Sequence, residues 1–124
     1  KGGFEELLSS GYSFVSYPLR VVIRLYPREE KDFPARIAVS VSKRRFKRAV
    51  KRNRVKRLIR ETYRLNKNIL YSYIPEDKTM DILFIYLHDE IFEYGKIEKA
   101  ITGAIKKIRS YIEKDSGGDI ADTH

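Results

Sequence analysis

The feature that most constrains this chain is a helix written in arginine and lysine. Between Lys43 and Arg64 stand twelve of the chain's 26 Lys and Arg residues and a single acid, Glu61. That window sums to +11 while the whole chain carries +9, so everything else sums to −2. The same stretch has helical order. Val55, Leu58, Ile59, Thr62, Leu65, Ile69 and Leu70 recur at three- and four-residue steps and mark one apolar stripe. Arg52, Lys56, Arg60 and Arg64 form a row at i, i+4 spacing on another face, with Asn53 and Arg57 beside it. Like charges at that spacing cost a few tenths of a kcal/mol per pair. A helix that stacks several such pairs, with one acid to relieve them, is suited to a polyanion, because each phosphate it neutralises releases condensed counterions. A solvated basic face is the ordinary explanation of three or four charges and a poor one for twelve.

Composition narrows the partner. The 124 residues imply one domain with one modest core, taken as residues 1–114, with the polar, glycine-containing and slightly acidic segment 115–124 expected to be a disordered tail. Cysteine is absent, which excludes disulfides and thiolate metal sites and fits a reducing cytoplasm. No run approaches the length of a membrane-spanning helix, and no secretory signal pattern opens the chain. The basic helix lacks large aromatics opposite its charges, so nucleic acid ranks ahead of an anionic membrane surface. The chain opens at Lys1-Gly2-Gly3 without an initiator Met, which leaves room for a preceding N-terminal piece.

Hydrophobic periodicity supplies the remaining elements. Phe4 to Leu8 reads as a short helix with Gly11 near a C-cap position, and Tyr12 to Tyr17 as an extended entry. Pro18 to Tyr26 alternates, with Leu19, Val21, Ile23 and Leu25 inward and Arg20, Val22, Arg24 and Tyr26 outward. After the Pro27–Asp32 turn a second alternating strand places Ile37, Val39 and Val41 inward and Arg36, Ala38, Ser40 and Ser42 outward. The two outward faces are small or basic, as a solvated sheet or a platform for extended nucleic acid would be. Beyond the basic helix and a polar turn at residues 75–79, Met80 to Leu87 is almost continuously apolar, the pattern of a strand buried on both faces. Strand, helix, strand across residues 36–87 requires a crossover. Ile97, Ala100, Ile101, Ala104, Ile105, Ile108 and Ile112 define a final amphipathic helix covering the sheet.

The sequence contains no recognisable catalytic centre. His88 and His124 have no spaced partner, and Asp89-Glu90 is adjacent rather than helically spaced, as loop residues are. Ser9, Ser10, Ser40 and Ser42 lie in no nucleophile-elbow context. Gly2-Gly3 and Gly117-Gly118 sit near the chain ends and form no phosphate loop. The convergent carboxylates of a two-metal nuclease are missing, because the acids gather in turns and terminal helices.

Ser42-Lys43-Arg44, Arg48-Ala49 and the run Arg52-Asn53-Arg54-Val55-Lys56-Arg57-Leu58-Ile59-Arg60-Glu61 closely resemble the signature of the bacterial ribonuclease P protein subunit. A weaker likeness extends from Phe4 to Ile112. The resemblance implies an α+β fold of order α-β-β-β-α-β-α. This is a two-layer sandwich like the second domain of ribosomal protein S5, with a left-handed β-α-β crossover that no general rule would give. It also implies that catalysis belongs to an RNA, which cleaves the 5′ leader from precursor tRNA with magnesium ions. The protein itself is expected to bind no cofactor or metal, to have no catalytic residues, and to be monomeric without RNA. On this resemblance Lys43, Arg44, Arg48, Arg52, Asn53, Arg54, Lys56, Arg57 and Arg60 bind the catalytic RNA. Phe4 and Leu8 wall a cleft for the leader, floored by Arg20, Val22, Arg36, Ser40 and Ser42. Leu8 replaces an aromatic common at its position. Two other classes stay open on the residues alone: a free-standing RNA-binding protein of ribosomal or regulatory type, and a protein nuclease in its own right. A helix-turn-helix reader is disfavoured because the basic helix has no short partner joined by a tight turn.

Overall fold

The computed structural model describes residues 4–121, with side chains from residue 6 to residue 114. Seven elements follow in the expected order: α1 (Phe4–Ser10), β1 (Tyr12–Ser16), β2 (Leu19–Pro27), β3 (Ala35–Ser40), α2 (Ala49–Tyr73), β4 (Lys78–Tyr86) and α3 (Tyr94–Ala121). The strands form one sheet ordered β1-β2-β4-β3, with β3 parallel to β4 and the other neighbours antiparallel. The parallel pair is what makes the β3-α2-β4 segment a crossover. β4 lies inside the sheet with a neighbour on each side and helices over both faces, so seven of its nine residues are buried. Its continuous apolar run follows from that position.

The sheet's two faces have unequal covers. On one face Leu19, Val21, Ile23, Val39, Met80, Ile82 and Phe84 pack against Val55, Ile59, Tyr63 and Leu70 of α2 and the isoleucine stripe of α3. The four buried apolar side chains of α2 contribute on the order of 6–10 kcal/mol gross. The i, i+4 cation pairs along the helix oppose this with about 1–2 kcal/mol in total. Packing therefore holds the basic helix against its own repulsion. The other face carries a small cluster of Leu7 on α1 with Val22 and Leu83.

Three details go beyond the sequence reading. Leu65 and Ile69 are 57% and 52% exposed while Tyr63 is buried, so the buried face of α2 is rotated away from the expected stripe in its second half. Gly11 directly follows the last residue of α1 and its N–H donates to the Leu7 carbonyl at 2.7 Å, at the expected C-cap position and without a left-handed φ. A Cβ there would stand 2.6 Å from the Leu7 carbonyl oxygen and 2.8 Å from Val22 Cγ1, so the glycine is required both by the last turn of α1 and by the close approach of β2. Finally, the α3 backbone is helical through Ala121. The apolar stripe read from the sequence ends at Ile112. Residues 122–124 lie outside the described residues.

Candidate nucleic-acid interface

Helix α2 presents its cations on both sides of an outer ridge. One side is a trough of about 390 Å³ lined by Asn53, Lys56, Arg57, Arg60, Glu61 and Arg64. Glu61 is already engaged by Arg64, whose Nη2 donates to Oε1 at 2.6 Å. That hydrogen bond holds the Glu61 carboxyl below its usual range, so the remaining cations of the trough face solvent without a counter-charge of their own among its lining residues. On the other side Arg54 and Arg57 border a notch of about 560 Å³ completed by Leu58, Glu61, the connector residues Ile91, Phe92 and Glu93, and Tyr94 at the start of α3. The connector is fixed by buried Tyr86, whose hydroxyl donates to the Glu90 carbonyl at 2.7 Å and accepts from Phe92 N–H at 3.0 Å. Burial pushes that phenol up from its ordinary pKa.

The N-terminal end of α2 is reached through a basic loop. Lys43 and Arg44 are exposed in the turn after β3, and Arg48 is the N-cap residue with no side-chain cap bond. Arg52 is different from its neighbours. Its Nη1 donates to the carbonyls of Phe46 at 2.8 Å and Lys47 at 2.9 Å, so it ties the loop to the helix. Arg45, outside the expected set, pairs with Asp89 at 3.0 Å and joins the same loop to the connector.

Strand register decides the opposite face of the sheet. Val15, Arg20, Ile85 and Ser40 form one cross-sheet row; Ser13, Val22, Leu83 and Ala38 form the next; Arg24, Asp81 and Arg36 form a third. Helix α1 sits over the second and third rows. Leu7 covers Val22 and Leu83, and Arg24 reaches Ser10 Oγ at 2.7 Å and Glu6 Oε1 at 3.4 Å. The first row is open, with Val15, Arg20 and Ser40 exposed.

Family-level comparison decides what kind of protein carries these surfaces. A model of the family described as Ribonuclease P matches residues 1–109. The chain belongs to that ribonuclease P family. The ribonuclease P protein component of Porphyromonas gingivalis is 43% identical over 103 residues, spanning 82% of this chain and 74% of the relative. That of Clostridium botulinum is 38% identical over 99 residues, spanning 77% and 81%. The solved RNase P proteins of Thermotoga maritima (TM-score 0.63, 23% identity, 84% of this chain and 89% of that one) and Staphylococcus aureus (0.63, 24%, 85% and 87%) share the fold. The α+β class and the element order implied by the signature are therefore those of the family.

Within this ribonuclease P fold the expected cleft residues have separate fates. Arg20 and Ser40 share the open row, and Leu8 is 49% exposed on α1. Val22 is corrected: it is wholly buried as the seat of α1, because α1 packs down on β2 through Leu7. Arg36 lies on the cleft face but donates through Nε and Nη2 to both oxygens of buried Asp81, at 2.8 and 2.7 Å. That bond raises the Arg36 pKa despite the opposing effect of burial. Ser42 lies beyond the end of β3 and accepts the Arg45 N–H in a turn. The Phe4 side chain lies outside the described residues. Val15 and Ile85 were missed, since only the pairing register places them beside Arg20. Phe92 and Tyr94 were missed because nothing local marks a connector that folds back on α2. Among the described residues no group of three or more His, Cys, Asp or Glu could hold a metal ion, and none of the helices is long and apolar enough to cross a membrane. His88 shares a hydrogen bond through Nδ1 with the Tyr17 hydroxyl at 2.9 Å and stacks on Phe92.

Proposed function

We propose that this chain is the protein subunit of a bacterial ribonuclease P, binding a catalytic RNA and the 5′ leader of precursor tRNA and so assisting 5′ maturation of tRNA. The observation that carries the reading is the α2 trough, where Asn53, Lys56, Arg57 and Arg60 converge on one concave basic surface in a chain of this family. Arginine and lysine so arranged meet phosphates, which position an RNA while carrying little base information. Lys43, Arg44 and Arg48 extend that surface along the loop, Arg54 borders its far side, and Arg52 supports it from beneath. The open row of Arg20, Ser40 and Val15, flanked by Leu8, offers flat apolar area beside one guanidinium, which suits single-stranded leader. Bond cleavage belongs to the RNA and its magnesium ions; the protein raises the local concentration of substrate and screens repulsion between two RNAs.

The test is a precursor-tRNA cleavage assay with rigorously RNA-free protein, a bacterial ribonuclease P RNA, and both together. The expected result is no cleavage by protein alone and a lower magnesium requirement for the RNA when protein is present. Cleavage by protein alone would make the chain a nuclease. Absence of any effect on the RNA would leave a free-standing RNA-binding protein.

A further inference from the structure

The basic helix is not the chain's only cationic surface. Residues 94–114 of α3 hold six cations and two acids, a local +4. Lys96, Lys99, Lys106, Lys107 and Lys114 are all exposed. At ~100° per residue they fall within an arc of roughly 100° opposite the isoleucine stripe. The two acids lie to one side of that arc and are engaged, Glu98 by the Tyr94 hydroxyl at 3.4 Å and Glu113 by Arg109 at 2.7 Å. Beside the C-terminal half of this lysine face stands an aromatic group on strand β1. Tyr12 stacks on Tyr111 with centroids 4.6 Å apart at 21°, and lies 6.1 Å from Phe14. Lys107 sits over Phe14 at 5.7 Å and donates to the Val15 carbonyl at 2.6 Å. Tyr12, Phe14, Lys107, Ser110, Tyr111 and Lys114 line a depression of about 510 Å³. Strand β1 is the sheet edge remote from β3, about 14 Å away across three inter-strand steps, so the aromatic end of this surface is separate from the β3 edge, while α3 itself packs beside α2.

We propose that the β1 edge and the outer face of α3 form a second RNA-contact surface, in which lysines meet phosphates and the Tyr12–Tyr111 stack extends onto an unpaired base. A lysine face alone would suit any polyanion. The stacked tyrosines, Tyr12 half-exposed and Tyr111 partly buried, select a strand whose bases are available, because base stacking is sequence-tolerant and needs a flat π-face next to a cationic track. The proposal rests on the reading of this chain as an RNA-binding subunit and adds a site to it.

The probe is a fluorescent oligouridylate of about twelve nucleotides, a length within the range such surfaces occupy. It is titrated by anisotropy at several salt concentrations into the full chain and three variants: K99Q/K106Q/K114Q, Y12L and R57Q/R60Q. All changed residues are solvent-facing, and thermal melts verify folding. The α3 triple should weaken binding about tenfold and flatten the salt dependence by about 2 logarithmic units per decade, since each lost phosphate contact on a single strand is worth ~0.7. Y12L should weaken binding at least ~5-fold with an unchanged salt slope. If the triple and Y12L both bind like wild type while R57Q/R60Q is weakened, the second surface is wrong and the basic-helix reading stands. A loss in the triple without a loss in Y12L reduces the effect to net charge and also overturns it. Vesicles of phosphatidylserine and phosphatidylcholine are the parallel arm. Vesicle binding that the triple abolishes, with oligouridylate binding intact, would make α3 a membrane surface instead. Should R57Q/R60Q match wild type as well, the reading underneath fails with it.

Discussion

Arg36 and Asp81 show how little a charge pattern says about what a charge does. The Arg36 side chain is 42% exposed and lies on the cleft face, yet its guanidinium grips a carboxylate that is 3% exposed. The pair is asymmetric. Removing Asp81 leaves an arginine that can turn to water, whereas removing Arg36 strands an ionised carboxylate inside β4. Arg36→Ala is therefore expected to destabilise the fold by up to about 3 kcal/mol, and Asp81→Asn by less. Chemical denaturation of both variants measures this, and equal small losses would mean that the Arg36–Asp81 pair does not hold β3 to β4. The sequence placed Arg36 correctly on the outward face, because alternation determines faces. It could not show the partner, since Asp81 lies 45 residues away and meets Arg36 only through the β3–β4 register. Gly11 has a related lesson: the Leu7 carbonyl that excludes a Cβ there is local, but the Val22 side chain that also excludes one comes from β2.

At the scale of the element, α2 is a helix whose exposed face works against its own folding. Arg57→Gln with Arg60→Gln removes like-charge contacts worth a few tenths of a kcal/mol each, so the variant should melt slightly higher than wild type. The same variant should bind RNA more weakly, with a salt slope smaller by about 2 for duplex-like contacts. Opposite signs in calorimetry and in binding are the signature of residues kept for a ligand; a loss of stability would mark them as structural. Helix existence and the basic face were legible, because twelve cations and a 3.6-residue period are local signals. The rotated C-terminal half was not. Tyr63 is buried in place of Leu65 and Ile69 because α2 there leans on α3 as well as on the sheet, and no period within one helix records its neighbour. The lysine face of α3 was legible in principle from its position opposite the isoleucines, but its significance depends on Tyr12, brought beside it by β1.

For the whole molecule, the sheet separates two roles. Its α2 side carries the dense cations, and its α1 side carries an open row with one guanidinium and apolar neighbours. If those are a docking surface for catalytic RNA and a cleft for leader, they must be separable by mutation. The decisive measurement pairs two affinities: protein for a bacterial ribonuclease P RNA, and the assembled holoenzyme for tRNA with and without its 5′ leader. R57Q/R60Q should weaken the first and leave the leader preference of whatever holoenzyme forms. L8A/R20Q should leave the first unchanged and reduce the preference for precursor over mature tRNA by roughly tenfold, the scale of one lost stacked or charged contact. Folded variants that damage both quantities equally would contradict two surfaces and leave a single diffuse polyanion site.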